Sequence, residues 1–218
     1  MNATRSLLSA LPLACALALS ACGQAPQNAS DSVVKKAIDE AKAGIDQARV
    51  GMNDARAEIA KAREKLGQEN LSIGDGNKKL PKAEITPEGD LLIGGTKVDV
   101  NEQQHALLET YRTRLLAVAQ SGMDVGVQGA DIGLNAAGEA LKGVFNGVDT
   151  QQIEAKIAPH VEKLKAKALA LCNHLPGLLE AQTKLADALP AFKPYATMSV
   201  SDIDDCKKDA TDATDSST

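Results

Sequence analysis

The chain has 218 residues, of which 44% are hydrophobic but only 2% are aromatic, and its formal net charge is −5. Because aromatic side chains are the usual fillers of large cores and pockets, this composition predicts closely spaced helices rather than a thick globular core. The acidic balance also argues against nucleic acid as a partner, since binding to phosphates needs clustered Lys and Arg.

The N-terminus carries the pattern of a bacterial lipoprotein signal peptide over residues 1–21. One cation, Arg5, precedes an apolar run over residues 7–19 that is too short to cross a hydrocarbon core of ~30 Å. The run leads into the tetrapeptide LSAC, which ends at Cys22 and places small residues before a thiol. We therefore expect cleavage before Cys22 and lipidation of its thiol. The alternative is an ordinary signal peptide cleaved after Ala21, with Cys22 left as a spare thiol.

Lipidation of Cys22 would hold the protein on a bilayer, because each buried methylene contributes ~0.8 kcal/mol. Gly23, rather than an aspartate, follows the cysteine. By resemblance to sorted lipoproteins, this residue favours the periplasmic face of the outer membrane over the inner membrane. Residues 22–31 then form the lipidated cysteine and a polar tether. Loss of Arg5 with the signal peptide changes the formal charge from −5 to −6.

Cysteine use in the mature chain predicts one disulfide. Cys15 leaves with the signal peptide and Cys22 is consumed by lipid, so Cys172 and Cys206 remain as one pair in an oxidising compartment. A metal or redox site is the weaker alternative, because the chain has no CxxC motif and its histidines share no ligand spacing with either cysteine. We expect no cofactor and no metal.

Residues 32–67 predict one long helix. Apolar residues recur at alternating steps of four and three from Val34 to Leu66, which is a heptad pattern, and Gly67 is a candidate C-cap. One position of the repeat is small four times in succession, at Ala41, Ala48, Ala55 and Ala62. Small residues allow a partner backbone to approach closely. That partner is either a second helix of this chain, which we favour, or another chain in a coiled coil.

Residues 71–100 predict a small antiparallel β-meander. Pro87-Glu88-Gly89 is a turn sequence, and Gly94-Gly95 is a two-residue hairpin signal between short apolar segments. Leu71-Ser72-Ile73 is a candidate further strand.

Residues 101–206 predict a helical region. Asn101 and Gln104 have the spacing of a capping box at the start of a second long helix. Glycines punctuate its second half at Gly122, Gly126, Gly129, Gly133, Gly138, Gly143 and Gly147. Each costs ~1 kcal/mol relative to alanine, so a close neighbour is expected to offset the cost. Helices of the protein are the favoured neighbour, with lipid or an apolar ligand as the alternative. Acidic residues in this segment argue against a transmembrane span.

Two shorter helices are predicted after this one. The first contains Pro159, and Pro176-Gly177 separates it from the second. After Pro190 the sequence predicts an irregular chain as far as Cys206 and a disordered acidic tail over residues 207–218.

The fold class predicted is therefore mainly α, with long antiparallel helices and a small antiparallel β-meander between them. Because only the meander separates the two long helices, they are expected to run antiparallel. The alanine positions would then face the second helix at or below the usual spacing of 8–10 Å. On this interpretation, leucine at Ala48 and Ala55 would overpack the interface.

The stretches LSIGDGNKKLPKAEITPEGDLLIGGTKVDV and SGMDVGVQGADIGLNAAGEALKGVFNG, with Gln104 and Tyr111 in the helix between them, resemble the YggN-like family. This is an uncharacterised group of proteobacterial envelope proteins that carry a domain of unknown function. The resemblance covers residues 71–147 of the mature chain. It implies an envelope location and carries over no functional residue. The heptad helix and the lipidation motif lie outside the matching region.

Enzyme chemistry is not expected, because the sequence has no GxSxG, HExxH, P-loop or GxGxxG motif. Two hypotheses remain for the function. The first is an interaction or structural lipoprotein that presents its helices to an envelope protein partner. The second is a binding module for an acyl chain or other apolar ligand along the glycine-rich helix. An apolar channel beside Val125, Ile132 and Leu141 would favour the second. The sequence does not predict the oligomeric state.

Overall fold

The heptad pattern forms one helix, α1 (Asp31–Gln68), in the computed structural model, which describes residues 31–74, 79–146 and 150–212. Cys22 and the predicted signal peptide lie outside these residues. The chain divides into two units, residues 1–40 and residues 41–218. The described part of the first unit consists of the opening turns of α1, where Lys36 and Glu40 form an exposed ion pair with an N···O distance of 3.9 Å.

The predicted β-meander is confirmed. Its four antiparallel strands lie in chain order in one sheet, and they are β1 (Leu71–Ile73), β2 (Ala83–Ile85), β3 (Leu91–Ile93) and β4 (Thr96–Lys97). Ile85 is the central apolar residue, because it lies opposite Leu71 on one side and Leu91 on the other. Gly94 and Gly95 take φ values of +58° and +80°, as a two-residue hairpin turn between β3 and β4 requires.

The turn before β3 is docked on the second long helix. Gly89 is buried with φ of +85°, and a Cβ atom there would lie 2.7 Å from Cγ of Glu109 and 3.2 Å from the ring of His105. Nε2 of His105 is hydrogen-bonded to the carbonyl oxygen of Glu88 at 2.8 Å. Glycine is therefore required both by the left-handed backbone and by the close approach of the helix.

The remaining helices are α2 (Glu102–Asn146), α3 (Thr150–Cys172), α4 (Leu175–Ala188) and α5 (Val200–Asp212), with a 3₁₀ turn at Lys193–Tyr195. The predicted capping box of α2 is present. The N–H of Gln104 donates to Oδ1 of Asn101 at 2.9 Å, and the N–H of Asn101 donates to Oε1 of Gln104 at 3.0 Å. α3 continues through Pro159, and Pro176 lies in the first turn of α4, where a missing N–H costs least.

The prediction for the C-terminal segment is wrong over residues 200–212, which form α5 instead of an irregular chain and a disordered tail. Ser199 and Asp202 start this helix as a capping pair, since the carboxylate accepts the Ser199 N–H at 2.6 Å and its hydroxyl at 2.8 Å. Those hydrogen bonds lower the pKa of Asp202. Ile203 and Ala210 give α5 a buried face. Residues 213–218 lie outside the described residues.

The hydrophobic core lies where the sheet packs on the first half of α2 and on α4. Its fully buried apolar side chains include Phe192, Ile85, Leu91, Leu108 and Leu185. The rings of Tyr111 and Phe192 meet edge to face, with centroids 5.2 Å apart. The hydroxyl of Tyr195 donates to the carbonyl oxygen of Pro81 at 2.8 Å. Three of the four aromatic residues therefore belong to this single core, which accounts for a well-packed centre despite the low aromatic content.

Arg112 joins three elements through one buried guanidinium, which is only 5% exposed. Nη1 donates to the carbonyl oxygen of Ile85 in β2 at 3.0 Å. Nη2 donates to the carbonyl oxygens of Leu66, Gly67 and Glu69 at 3.2, 3.0 and 2.9 Å. The last carbonyls of a helix have no partner within it and carry the negative end of its dipole. Arg112 therefore caps the C-terminus of α1.

Replacement of Arg112 by Met should lower the free energy of unfolding by roughly 3 kcal/mol, because it removes a charged donor from the buried carbonyl group of Ile85 and from three part-buried carbonyl groups at the end of α1. Urea denaturation of the mature chain measures this loss. The matched control is Arg114→Met, two residues along α2 at an exposed position, which should change the stability by no more than about 0.5 kcal/mol. Equal losses in the two variants would contradict the capping role of Arg112.

Candidate functional site

Ion pairs join α1 to α2 within the second unit and show that the helices are antiparallel. Arg63 pairs with Asp124, and Nη2 of Arg56 contacts both carboxylate oxygens of Asp131. Arg56 precedes Arg63 by seven residues in α1, whereas its partner Asp131 follows Asp124 by seven residues in α2. Arg112 of α2, which contacts the end of α1, extends the same order. The predicted antiparallel arrangement is therefore confirmed, and its register follows a heptad on both helices.

The predicted close approach through alanine is wrong. Of the four alanines, Ala41, Ala48 and Ala55 are exposed and only Ala62 is partly buried. The larger seam residues, such as Met52 and Ile59, are partly buried. The physical reason is the length of arginine. A guanidinium that reaches an aspartate on the facing helix needs room between the two backbones, so the ion pairs favour a wider spacing than an alanine seam would allow.

Three of the six glycines of α2 also lack the expected close neighbour. A Cβ atom on Gly122, Gly126 or Gly133 would meet nothing within 4 Å. At Gly138 a Cβ atom would lie 3.1 Å from Nη2 of Arg49, and at Gly129 it would reach only the end of Leu164, at 3.9 Å. Close packing inside the protein therefore does not explain Gly122, Gly126 or Gly133. Over the described ranges, no helix has the length and apolar character needed to cross a membrane.

The double substitution of Ala48 and Ala55 by Leu should change the free energy of unfolding by less than about 0.5 kcal/mol at each site, because both positions are exposed. Thermal unfolding of the mature chain measures the change, and sedimentation measures its mass. The interpretation as an alanine seam would require a destabilisation of roughly 1–3 kcal/mol at each site. Such a loss would contradict the exposed position of these two alanines.

Two open grooves flank the glycine-rich half of α2. The first, which we call the disulfide groove, lies between α2, α3 and α5 and has a volume of about 570 Å³. Its apolar lining consists of Val125, Val161, Leu164, Ala168, Leu171 and Ala210. Its polar lining consists of Asp202, Asp205, Asp209 and Lys165. The groove therefore combines an apolar floor with a mainly acidic rim.

Cys172 and Cys206 close one end of the disulfide groove. Their Cα atoms are 5.8 Å apart and their sulfur atoms lie at disulfide distance, as the sequence analysis predicts. The residues are separated by 34 positions in sequence. Cys172 is the last residue of α3 and Cys206 lies in the middle of α5, so the bridge attaches α5 to α3 and holds one wall of the groove in place.

The second groove, which we call the basic cleft, lies between α1, α2 and α3 and has a volume of about 540 Å³. Its basic lining consists of Arg49, Arg56, His160 and Lys163. Its apolar lining consists of Met52, Ile132 and Leu134. The other polar residues that line it are Asn53, Gln128, Asp131 and Asn135. In contrast to the disulfide groove, this cleft presents more cations than anions.

Glu139 links α2 to α3 beyond the two grooves. Its carboxylate accepts hydrogen bonds from Nζ of Lys142 at 2.7 Å and from Nζ of Lys156 at 2.8 Å. These two hydrogen bonds, followed by the attraction of the two ammonium charges, lower the pKa of Glu139 to about 2. The residue therefore keeps its charge, and with it the contact between the helices, at any physiological pH.

Replacement of Lys156 by Gln should raise the pKa of Glu139 toward the ordinary glutamate value of 4.5. Because the folded-state pKa is depressed, the stabilisation by Glu139 is fully present above that ordinary value and is lost as the pH falls toward about 2. An NMR titration of the side-chain carboxyl measures both states. Lys167→Gln, elsewhere on α3, is the control, and an unchanged titration of Glu139 in Lys156→Gln would contradict the link.

Some predicted site residues come together and others do not. Cys172 and Cys206 meet, whereas Cys22 lies outside the described residues. Of the three residues expected beside an apolar channel, Val125 lines the disulfide groove, Ile132 lines the basic cleft and Leu141 lines neither. In the described part of the chain, no group of His, Cys, Asp and Glu side chains could hold a metal ion.

Sequence reasoning missed the basic residues that face α2. A signal was present, because Arg49, Arg56 and Arg63 recur every seven residues and match the spacing of Asp124 and Asp131. Nothing in the local sequence distinguishes Lys163 or His160 from other polar residues of α3. Comparison with protein-family models, curated proteins and solved structures gives no match. The resemblance to the YggN-like family stays a prediction.

Proposed function

We propose that the protein is a lipid-anchored envelope lipoprotein on the periplasmic face of the outer membrane, and that it acts by binding a protein partner rather than by catalysis. The anchor rests on the sequence before Cys22. The binding role rests on one observation, the disulfide groove, whose apolar floor is open and whose rim is acidic. Open apolar surfaces bordered by polar residues are typical of interaction sites.

The chemistry of the groove defines the partner. Leu164, Ala168 and Leu171 recur at helical spacing along its floor, and such a surface accepts the apolar face of another helix. The carboxylates of Asp205 and Asp209 lie at i and i+4 on α5, so they present negative charge along the same edge. Charge complementarity therefore favours an amphipathic helix that carries Lys or Arg beside its apolar face.

A second candidate function is the binding of a neutral acyl chain or other apolar ligand in the same groove. The observation that favours it is the position of Val125, which brings the glycine-rich helix into the apolar lining. Such a ligand would bind through contacts with the apolar floor and would not depend on the aspartates of the rim. Removal of the rim charges therefore distinguishes the two functions.

The anchor is tested by replacement of Cys22 with Ala. We expect this change to abolish incorporation of a fatty-acid analogue in cells and to block lipoprotein processing, because the acceptor thiol is lost. Cys15→Ala is the matched control, since Cys15 lies within the predicted signal peptide, and it should leave labelling unchanged. Labelling that persists in Cys22→Ala would contradict the proposed anchor.

The groove is tested with two model helical peptides of equal length, one composed of Leu and Lys and one of Leu and Glu. The mature chain should bind the first and not the second. Asp205→Asn with Asp209→Asn should weaken the binding of the first about tenfold, because two charge-assisted contacts are lost. Asp204→Asn is the control, on the same helix but outside the groove lining. Fluorescence anisotropy measures the affinities.

Three results of that experiment lead to different conclusions. Binding of both peptides with equal affinity would contradict the acidic rim as the determinant. Displacement of the Leu and Lys peptide by dodecanol, with no effect of the aspartate substitutions, would favour the second candidate function. Absence of binding by every probe would contradict both functions of the groove.

A further inference from the structure

We propose that the basic cleft is a binding site for a single-chain amphiphile with an anionic head group. This site is separate from the disulfide groove and does not depend on the proposed partner. The ligand class follows from two features that the cleft combines, which are surplus cations and an apolar wall.

The cations of the cleft exceed its anions. Asp131 is the one carboxylate of the lining, and the guanidinium of Arg56 already neutralises it. Lys163 forms no ion pair in the described part of the chain. Arg49 has a carboxylate partner outside the lining, Asp46, at 3.5 Å. Both of these side chains are about half exposed, so their ion pair contributes little and an anionic ligand can replace it.

This surplus stands out because the chain as a whole is acidic, with a formal net charge of −5. The net negative charge of the protein repels an anion in solution. An anion that binds in the basic cleft must therefore be held by direct contacts with the cations of the cleft. Arg and Lys supply such contacts, because both donate charge-assisted hydrogen bonds to phosphate and carboxylate oxygens. His160, on the same helix as Lys163, offers a further ring nitrogen to the cleft.

Gly138 leaves space beside α2 for the guanidinium of Arg49. A Cβ atom at this residue would lie 3.1 Å from Nη2 of Arg49, closer than an ordinary van der Waals contact, so the guanidinium would have to shift by a few tenths of an ångström. Gly138 is buried, unlike Gly126 and Gly133 on the same helix. The absence of a side chain at this position therefore has a defined consequence, which is room for a cation at the cleft.

The apolar wall explains why the ligand is an amphiphile rather than a simple anion. Met52 from α1 and Ile132 and Leu134 from α2 line the same space as the cations. Met adapts its shape to different apolar surfaces, as binding of a flexible chain requires. The volume of about 540 Å³ lies within the range of small-molecule sites, roughly 300–1,000 Å³. An acidic head group and an acyl chain would together satisfy both parts of the lining.

The test is isothermal titration calorimetry of the mature chain, residues 22–218 without lipid, with dodecyl phosphate below its critical micelle concentration. Inorganic phosphate and dodecyl maltoside serve as the two partial ligands, one with the charge alone and one with the chain alone. We expect dodecyl phosphate to bind at least about tenfold more tightly than either, since only it contacts both parts of the lining. Added salt should weaken its binding, because part of the attraction is between charges.

Matched variants locate the site. Lys163→Gln and Arg49→Gln should each weaken the binding of dodecyl phosphate about tenfold, because each removes one charge-assisted contact. Lys167→Gln, one helical turn from Lys163 and outside the cleft lining, should leave it unchanged. Gly138→Ala should weaken binding without lowering the melting temperature, because alanine favours the helix while it displaces the guanidinium of Arg49.

Each other outcome overturns a stated part of the proposal. Equal affinity for inorganic phosphate and dodecyl phosphate would assign the cleft to free anions. Equal affinity for dodecyl maltoside would exclude the role of the cations. Equal weakening by Lys167→Gln and Lys163→Gln would place the binding outside the cleft. No binding of dodecyl phosphate would refute the site, and it would leave the peptide test of the disulfide groove unaffected.

Discussion

The buried guanidinium of Arg112 is the constraint on which the arrangement of the long helices depends. A planar group with fixed donors can satisfy Ile85 of β2 and the last carbonyls of α1 only when the helix ends at one place against the sheet. That end point sets the register between α1 and α2. Arg63 then meets Asp124, and the next heptad of α1 meets the next heptad of α2. Exposed ion pairs contribute little energy by themselves, but here they preserve an alignment that a buried group has already imposed.

The packed core and the open grooves occupy different halves of α2. The first half of this helix carries Leu108 and Tyr111 into a core shared with the sheet and α4. The second half is held by ion pairs to α1 and by Glu139, while the Cys172–Cys206 bridge joins α3 to α5, and open space remains between the helices. Among the described residues of that region no large apolar core is present, so grooves of opposite charge can flank one helix. Scarce aromatic residues are therefore concentrated where packing is needed most.

The sequence predicted the parts of the fold that local chemistry determines. Turn glycines indicated the meander, and the side chains of Asn101 and Gln104 indicated the start of α2. Cys172 and Cys206 were predicted to pair because the other two cysteines were assigned to the signal peptide and to the lipid. The sequence did not predict α5, because the buried face of this helix has only Ile203 and Ala210, and a short capping pair and the bridge to α3 supply the rest of its support. It identified the large heptad residues of α1, such as Met52 and Ile59, that are partly buried, but it expected the alanines of the repeat to make the contact with α2, which Arg56 and Arg63 make instead. A heptad pattern shows which residues lie on the same face of a helix. Whether the alanines or the arginines of α1 contact α2 depends on residues of α2 that are far away in the sequence.

The glycines with open space around them have a consequence for motion. At Gly122, Gly126 and Gly133 the backbone bears the cost of a poor helix former without a compensating contact, so the second half of α2 should open locally at a lower free energy than the half anchored by Leu108. Amide hydrogen exchange would then be faster there. This same segment forms a wall of both grooves. An occupant that orders α2 from one side would therefore reduce the entropic cost of binding on the other, which couples the two grooves without any change in the average structure.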